Sequence, residues 1–168
     1  MNDKPVVGFL VGSKSDLTFV ERGLRLLEEF GIAYDLQVIS AHRTPDRAAQ
    51  YGRDAESAGL KVIIAAAGAA AHLAGAIASH TTLPVIGVPI PSSDLKGLDS
   101  LLSTVQMPSG VPVATMAIGE AGAGNAAVLA AEILALSDSA LAEKLRQHRK
   151  QLAEKVLRDN PACPPQGK

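Results

Sequence analysis

Short continuous apolar runs alternate along this chain with segments whose apolar residues recur three and four positions apart, a pattern that predicts a parallel sheet covered by helices. Residues 6–11 form the first run, of the kind buried on both faces of a sheet. Leu17, Val20, Leu24, Leu27 and Phe30 then follow at helical spacing until Gly31 stops the helix. Residues 34–39 read as a second strand, and Ala48, Ala49, Tyr51, Gly52 and Ala55 carry a helix on to Gly59. A third strand over 62–66 passes through the small residues 67–73 into an Ala-rich helix. Residues 83–89 give a fourth strand, and Leu98, Leu101, Leu102 and Val105 a short helix. A fifth strand is expected over 111–118, near a sheet edge because Pro112 has no N–H to donate, followed by a helix over 126–136. Asp138 caps a last helix whose stripe of Leu141, Leu145, Leu152 and Val156 is narrow, as expected of a helix docked on a neighbouring subunit. The organisation read from this pattern is one α/β domain over 1–136, a C-terminal helix over 137–160 and a loose Pro-rich tail over 161–168.

Composition removes several classes of function. A chain of 168 residues with 47% hydrophobic positions can bury one good core. Its net charge of -1 and 3% aromatic content offer little to phosphate backbones or stacked bases, so nucleic acid is not expected as a partner. The stretch 62–78 is apolar apart from His72, but it is Ala/Gly-rich and shorter than the roughly 20 residues of a membrane span. The single cysteine, Cys163, excludes a disulfide framework, and residues 1–5 enter the first strand without an apolar leader. A cytoplasmic protein without a membrane partner is the expectation.

The chemistry concentrates in two turns. In Ser40-Ala41-His42-Arg43-Thr44-Pro45, Thr44 suits an N-cap and Pro45 the first helical position. His42 and Arg43 then lie just outside the carboxyl end of a strand, where open α/β sheets bind their ligands. An imidazole there can move protons near neutral pH, and a guanidinium there can hold an anion. In Gly12-Ser13-Lys14-Ser15-Asp16, backbone N–H groups and hydroxyls suit one phosphate, and Asp16 suits sugar hydroxyls. The competing reading is N-capping by Ser15 or Asp16. The loop lacks the spacing of a nucleoside-triphosphate P-loop. Gly122-Ala123-Gly124-Asn125-Ala126-Ala127 fits G-x-G-x-x-A, but no further strand and acidic residue follow, so a dinucleotide site is not expected. His72, a lone histidine in an apolar run, reads first as a hydrogen-bonded structural residue and second as a catalytic group.

Five motifs in order, Gly12-Ser13-Lys14-Ser15-Asp16, Ser40-Ala41-His42-Arg43-Thr44-Pro45, Ala67-Gly68-Ala69-Ala70-Ala71-His72-Leu73, Gly87-Val88-Pro89 and Ser103-Thr104-Val105-Gln106-Met107-Pro108, resemble the N5-carboxyaminoimidazole ribonucleotide mutase family of purine biosynthesis. The resemblance implies a flavodoxin-like three-layer αβα sandwich, a homo-octamer, a ribonucleotide substrate and no metal or organic cofactor. It places the catalytic histidine on His42 and substrate binding on Ser13, Asp16, Ser40, Arg43, Gly68, Ala69, Ala70, His72 and Leu73. The chain departs from the family where Ala66 and Ala69 replace glycines, Ala74 replaces a proline and Glu120 a lysine; an added methyl can crowd a ligand or oppose positive φ. The related carboxylase, which takes free carbon dioxide, resembles this chain in the first two motifs but carries Lys after its histidine and a polar Arg-Ser-Asn stretch in the third. Arg43 and the apolar Gly68-Ala69-Ala70-Ala71 favour the mutase. A non-catalytic flavodoxin-like nucleotide-binding oligomer is the remaining alternative, and the scarcity of aromatics to flank a flavin ring counts against its flavin form.

Overall fold

In the computed structural model, which describes residues 4–92 and 94–159, a five-stranded parallel sheet carries helices on both faces. The strands are β1 (Val7–Val11), β2 (Tyr34–Val38), β3 (Val62–Gly68), β4 (Val85–Ile90) and β5 (Ala114–Thr115), in the order β2-β1-β3-β4-β5. The helices are α1 (Leu17–Phe30), α2 (Pro45–Asp54), α3 (Leu73–Ala78), α4 (Leu98–Val105), α5 (Glu120–Ala135) and α6 (Ser139–Arg158). This is the doubly wound, flavodoxin-like arrangement expected from the alternation of patterns. β1 pairs with β2 from Val7↔Tyr34 to Val11↔Val38 and with β3 from Val7↔Val62 to Val11↔Ala66.

The pleat divides the core in two. Val7, Phe9, Val11, Val62, Ile64 and Ala66 face a cluster with α1, α5 and Leu141 of α6. Leu10, Ile63 and Ala65 face a second cluster with Ala48 of α2 and Leu73, Ala74 and Ile77 of α3. All five residues of β1 and all six of β4 are buried, which is why both appear in the sequence as unbroken apolar runs.

Three expected boundaries move. β5 is two residues long rather than eight: Pro112 has no N–H to donate, and the ladder engages only opposite Ile86 and Gly87. α2 ends at Asp54, with turns leading on to Gly59 at φ +97°. α5 begins at Glu120, not at residue 126, so Gly122, Ala123 and Gly124 are buried helix residues. Their smallness serves packing. A Cβ on Gly122 would overlap the Ala117 carbonyl, and one on Gly23 of α1 would stand 2.6 Å from the Ala123 carbonyl oxygen. The G-x-G-x-x-A pattern is thus a close helix–helix contact.

Asp138 caps α6 as expected, its Oδ1 accepting from the N–H groups of Ala140 and Leu141 at 3.0 Å each. The first half of α6 packs on its own chain: Leu141 is buried, Lys144 Nζ donates to the Phe30 carbonyl at 2.7 Å, and the Phe30 and His148 rings meet edge to face. Beyond it Leu152, Val156 and Leu157 are 48%, 70% and 70% exposed. Among the described residues no helix is long and apolar enough to cross a membrane. Cys163 and the expected tail over 161–168 lie outside the described residues.

Candidate active site

The carboxyl ends of β1, β2, β3 and β4 open into a cavity of about 550 Å³, large enough for a small-molecule ligand. It lies where the strand order reverses between β1 and β3, so the loops leaving these strands diverge and leave a crevice. Ser13, Asp16, Ser40, Arg43, His42 and His72 line its polar part, and Ala67, Ala70 and Leu73 its apolar part.

The first wall is the loop after β1. Ser13 caps a 3-10 turn over Lys14–Asp16, its hydroxyl accepting from the Ser15 hydroxyl at 3.0 Å and from the Ser15 N–H at 3.4 Å. Asp16 occupies the N-cap position of α1 without capping it through its side chain, so the capping reading fails for this residue. Asp16 as a whole residue is 4% exposed, and it lies on the cavity wall. Burial pushes the Asp16 carboxyl up from its ordinary value, opposed by the Ser13 backbone, the Ser15 hydroxyl and the Arg43 charge. A buried carboxylate with spare acceptor capacity suits a pair of sugar hydroxyls.

The second wall is the turn after β2. Pro45 starts α2 as expected, but Thr44 does not cap it. Its hydroxyl turns back instead, donating to the Ser40 carbonyl at 2.9 Å and accepting from the Ser40 N–H at 3.2 Å. The Ser40 hydroxyl in turn accepts from Arg43 N at 3.2 Å and from Arg43 Nε at 3.3 Å. Arg43 Nη2 reaches the Gly12 carbonyl at 3.5 Å. The guanidinium is therefore aimed across the crevice at the first loop, with donors left over for an anion.

The third wall carries His72. Its Nδ1 lies 2.8 Å from His42 Nε2, the rings edge to face with centroids 4.9 Å apart. One nitrogen must donate and the other accept, so the pair holds one shared hydrogen and fixes complementary tautomers. His72 is exposed, and its partner is the candidate catalytic ring itself, not a buried structural acceptor. Ala69, expected at the site, does not itself line the cavity as Gly68 and Ala70 do; it has φ +52°, a left-handed conformation that glycine adopts freely and alanine adopts at a cost. Gly68 closes β3 half-buried, and a Cβ there would overlap the Ser92 hydroxyl.

Ser92 itself lines the cavity, and sequence reasoning passed over it. The signal was its position just beyond the carboxyl end of β4, the same placement that singled out His42. Of the expected site residues, Ser13, Asp16, Ser40, His42, Arg43, Gly68, Ala70, His72 and Leu73 meet on one cavity. A second cavity of about 430 Å³ beside α2 holds Tyr51, whose hydroxyl is committed to Asp35 Oδ2 at 3.1 Å. Burial and the Asp35 charge push that phenol up, so it stays protonated.

Comparison with known proteins finds relatives that match most of the chain. A Pyrococcus horikoshii protein named N5-carboxyaminoimidazole ribonucleotide mutase is 57% identical over 155 residues, covering 92% of this chain and 86% of the relative. Proteins of the same name from Pseudomonas aeruginosa and Bacillus subtilis are 55% and 53% identical, each covering 95% of the relative and 93% and 92% of this chain. The crystal structure of Treponema denticola PurE superimposes with a TM-score of 0.83 at 31% identity, covering 92% of this chain and 96% of that one. Residues 6–155 match the AIR carboxylase family, and the chain belongs to it.

Proposed function

We propose that this protein is a mutase that converts N5-carboxyaminoimidazole ribonucleotide to the 4-carboxy isomer, with His42 moving the proton. The observation that carries the reading is the 2.8 Å contact between His42 and His72 in a cavity that also offers Asp16 and Ser13 from the first loop and Arg43 from the His42 turn. The names of relatives with 53–57% identity support the same substrate.

In this reading the ribonucleotide phosphate lies between Arg43 and the Ser13–Ser15 hydroxyls, and its sugar hydroxyls donate to Asp16. The aminoimidazole then lies toward the histidine pair. The bond between the exocyclic nitrogen and the carboxyl carbon breaks, its electron pair stays on nitrogen, and His42, entering the cycle as imidazolium, delivers a proton there. Carbon dioxide is released inside the site. The ring carbon attacks it, forming the new C–C bond, and the hydrogen on that carbon leaves as a proton to His42. The histidine ends as it began, and no external acid or base is consumed. Ala67, Ala70 and Leu73 surround the transient gas with methyl groups, which cannot hydrate it. His72, hydrogen-bonded to the other edge of the exchange, holds the His42 ring in place while its charge alternates.

The protein works as a homo-octamer in the cytoplasm under this proposal. The exposed Leu152, Val156 and Leu157 of α6 and the exposed Leu36 and Val38 of edge strand β2 supply apolar surface for subunit contacts.

The carboxylase that fixes free carbon dioxide is the second reading, favoured only by its sharing of the first two motifs. Supplying the synthetic carbamate without bicarbonate, and then free aminoimidazole ribonucleotide with bicarbonate, separates the two. The mutase turns over the first far more efficiently; efficient use of the free amine alone assigns the protein to the carboxylase.

A further inference from the structure

The motif Ser103-Thr104-Val105-Gln106-Met107-Pro108 lies on and after α4, and none of its residues lines the cavity, so the proposed chemistry leaves it without a role. The loop that does line the cavity needs outside support. Ala71 N donates to the Ala69 carbonyl at 2.8 Å and His72 N to the Ala70 carbonyl at 2.8 Å, two successive closures over three residues each. Such turns are tight, and Ala69 adds left-handed backbone to them. Gly68, Ala69, Ala70 and Ala71 carry no side chain able to hold that shape themselves.

The support comes from α4. Ser103 Oγ accepts from Ala71 N at 3.0 Å, while its own hydrogen has the Asp99 carbonyl at 2.7 Å, one turn back in the helix, and the Ala69 carbonyl at 3.3 Å. Thr104 Oγ1 stands 3.5 Å from the Ala71 carbonyl, and a Cβ on Gly75 would come within 3.1 Å of Met107 Sδ. α4 is itself fixed to the sheet by the buried Ser100 hydroxyl, which reaches the Ile90 carbonyl at the end of β4 at 2.9 Å. An unbroken path of contacts therefore runs from β4 through Ser100 and Ser103 to Ala71, and the next residue is His72.

We propose that Ser103 is a positioning residue for the His72–His42 pair, acting through the Ala69–Ala71 turn. The proposal rests on the functional reading above for its kinetic consequence, but the geometry it sets is independent of the substrate. Loss of the Ser103 hydroxyl leaves Ala71 N with its strained local acceptor alone, and His72 moves away from His42. Misplacement of a catalytic group by about 1 Å costs on the order of 100-fold in rate, so a partial displacement costs about tenfold.

The test uses the full chain with Ser103→Ala, Ser103→Thr and Ser103→Cys. With the carbamate substrate, Ser103→Ala is expected to lower kcat about tenfold and to leave KM within twofold, because the proposed phosphate and sugar contacts belong to other loops. Ser103→Thr, which keeps the hydroxyl, is expected to recover most of that loss. Crystal structures of the unliganded variants supply the readout that does not need turnover: in Ser103→Ala the His42–His72 nitrogens are expected to separate from 2.8 Å to beyond hydrogen-bonding distance. If the alanine variant does not fold, Ser103→Cys, similar in volume but a weak donor and acceptor, takes its place with the same expected signs. An unchanged kcat with an unmoved histidine pair overturns the proposal, as does a loss that Ser103→Thr fails to recover. A wild-type protein that ignores the carbamate overturns the functional reading instead, and leaves the ring separation to decide the role of Ser103.

Discussion

Ala69→Gly isolates one local conformation whose cost can be worked out in advance. Ala69 sits at φ +52° and is exposed, so its methyl group carries steric strain without compensating burial. Holding an L-residue with a Cβ in the left-handed region costs roughly 1–2 kcal/mol. Glycine removes that cost but gives the unfolded chain more freedom, an opposing effect of about 0.4–1 kcal/mol. The difference favours the variant by about 0.5–1 kcal/mol, and for a domain of this size each kcal/mol moves Tm by about 2–4 °C. Ala69→Gly is therefore expected to raise Tm by roughly 1–4 °C. Turnover should stay within about twofold, because Ser103 still braces the turn. Differential scanning calorimetry of the parent and variant at one protein concentration is the assay, since assembly makes Tm concentration-dependent. A fall in Tm would refute the reasoning: it would mean that residue 69 does not occupy left-handed backbone, or that its methyl group is packed.

Three further outcomes follow from the cavity walls and the last helix. Arg43→Lys keeps the charge but loses the fork held by Ser40, and is expected to weaken product-nucleotide binding by about tenfold or more in calorimetry with little change in Tm; unchanged affinity would place the phosphate elsewhere. Burial raises the Asp16 carboxyl, so its charged form costs stability above the carboxylate range and that cost is relieved as pH falls through it. Asp16→Asn should therefore raise the unliganded Tm at pH 7, with the gain shrinking as pH falls, while nucleotide binding weakens. A gain that grows toward acid would contradict this sign. Truncation after Arg149 removes the exposed Leu152, Val156 and Leu157 and is expected to reduce oligomer mass in light scattering while leaving a folded domain. Truncation from Asp138 also uncovers Phe30 and is expected to cost several kcal/mol of stability; equal effects of the two cuts would show that α6 acts as one unit.

The layers of the fold were legible because burial on both faces makes β1, β3 and β4 unbroken apolar runs, and because Gly31 and Asp138 are helix punctuation of the ordinary kind. β5 was overread, since an apolar run states only that a segment is hydrophobic, and pairing at the edge depends on which backbone groups find a neighbour. The start of α5 was missed for the opposite reason: Gly122 and Gly124 weaken helix propensity, and only their tight contacts with Ala117 and Arg22 explain them. In the site, Asp16, His42 and Arg43 were readable from their places at strand ends. The pairing of His42 with His72 spans thirty positions and two loops, so no local pattern announces it. Thr44 had the residue type and position of a cap, yet its hydroxyl spends itself on Ser40, a choice made by the turn's curvature.

Carbamate labelled with ¹³C in its carboxyl group, given in excess unlabelled bicarbonate to the parent and to His42→Asn, tests the central claim most directly. With the parent, the label is expected to appear in the 4-carboxy product, because the carbon dioxide never leaves the site. His42→Asn, binding the nucleotide nearly as well, is expected to form product at least about 10²–10⁴-fold more slowly. Label washed out into bicarbonate by the parent, or turnover by His42→Asn within a few-fold of the parent, would contradict the account.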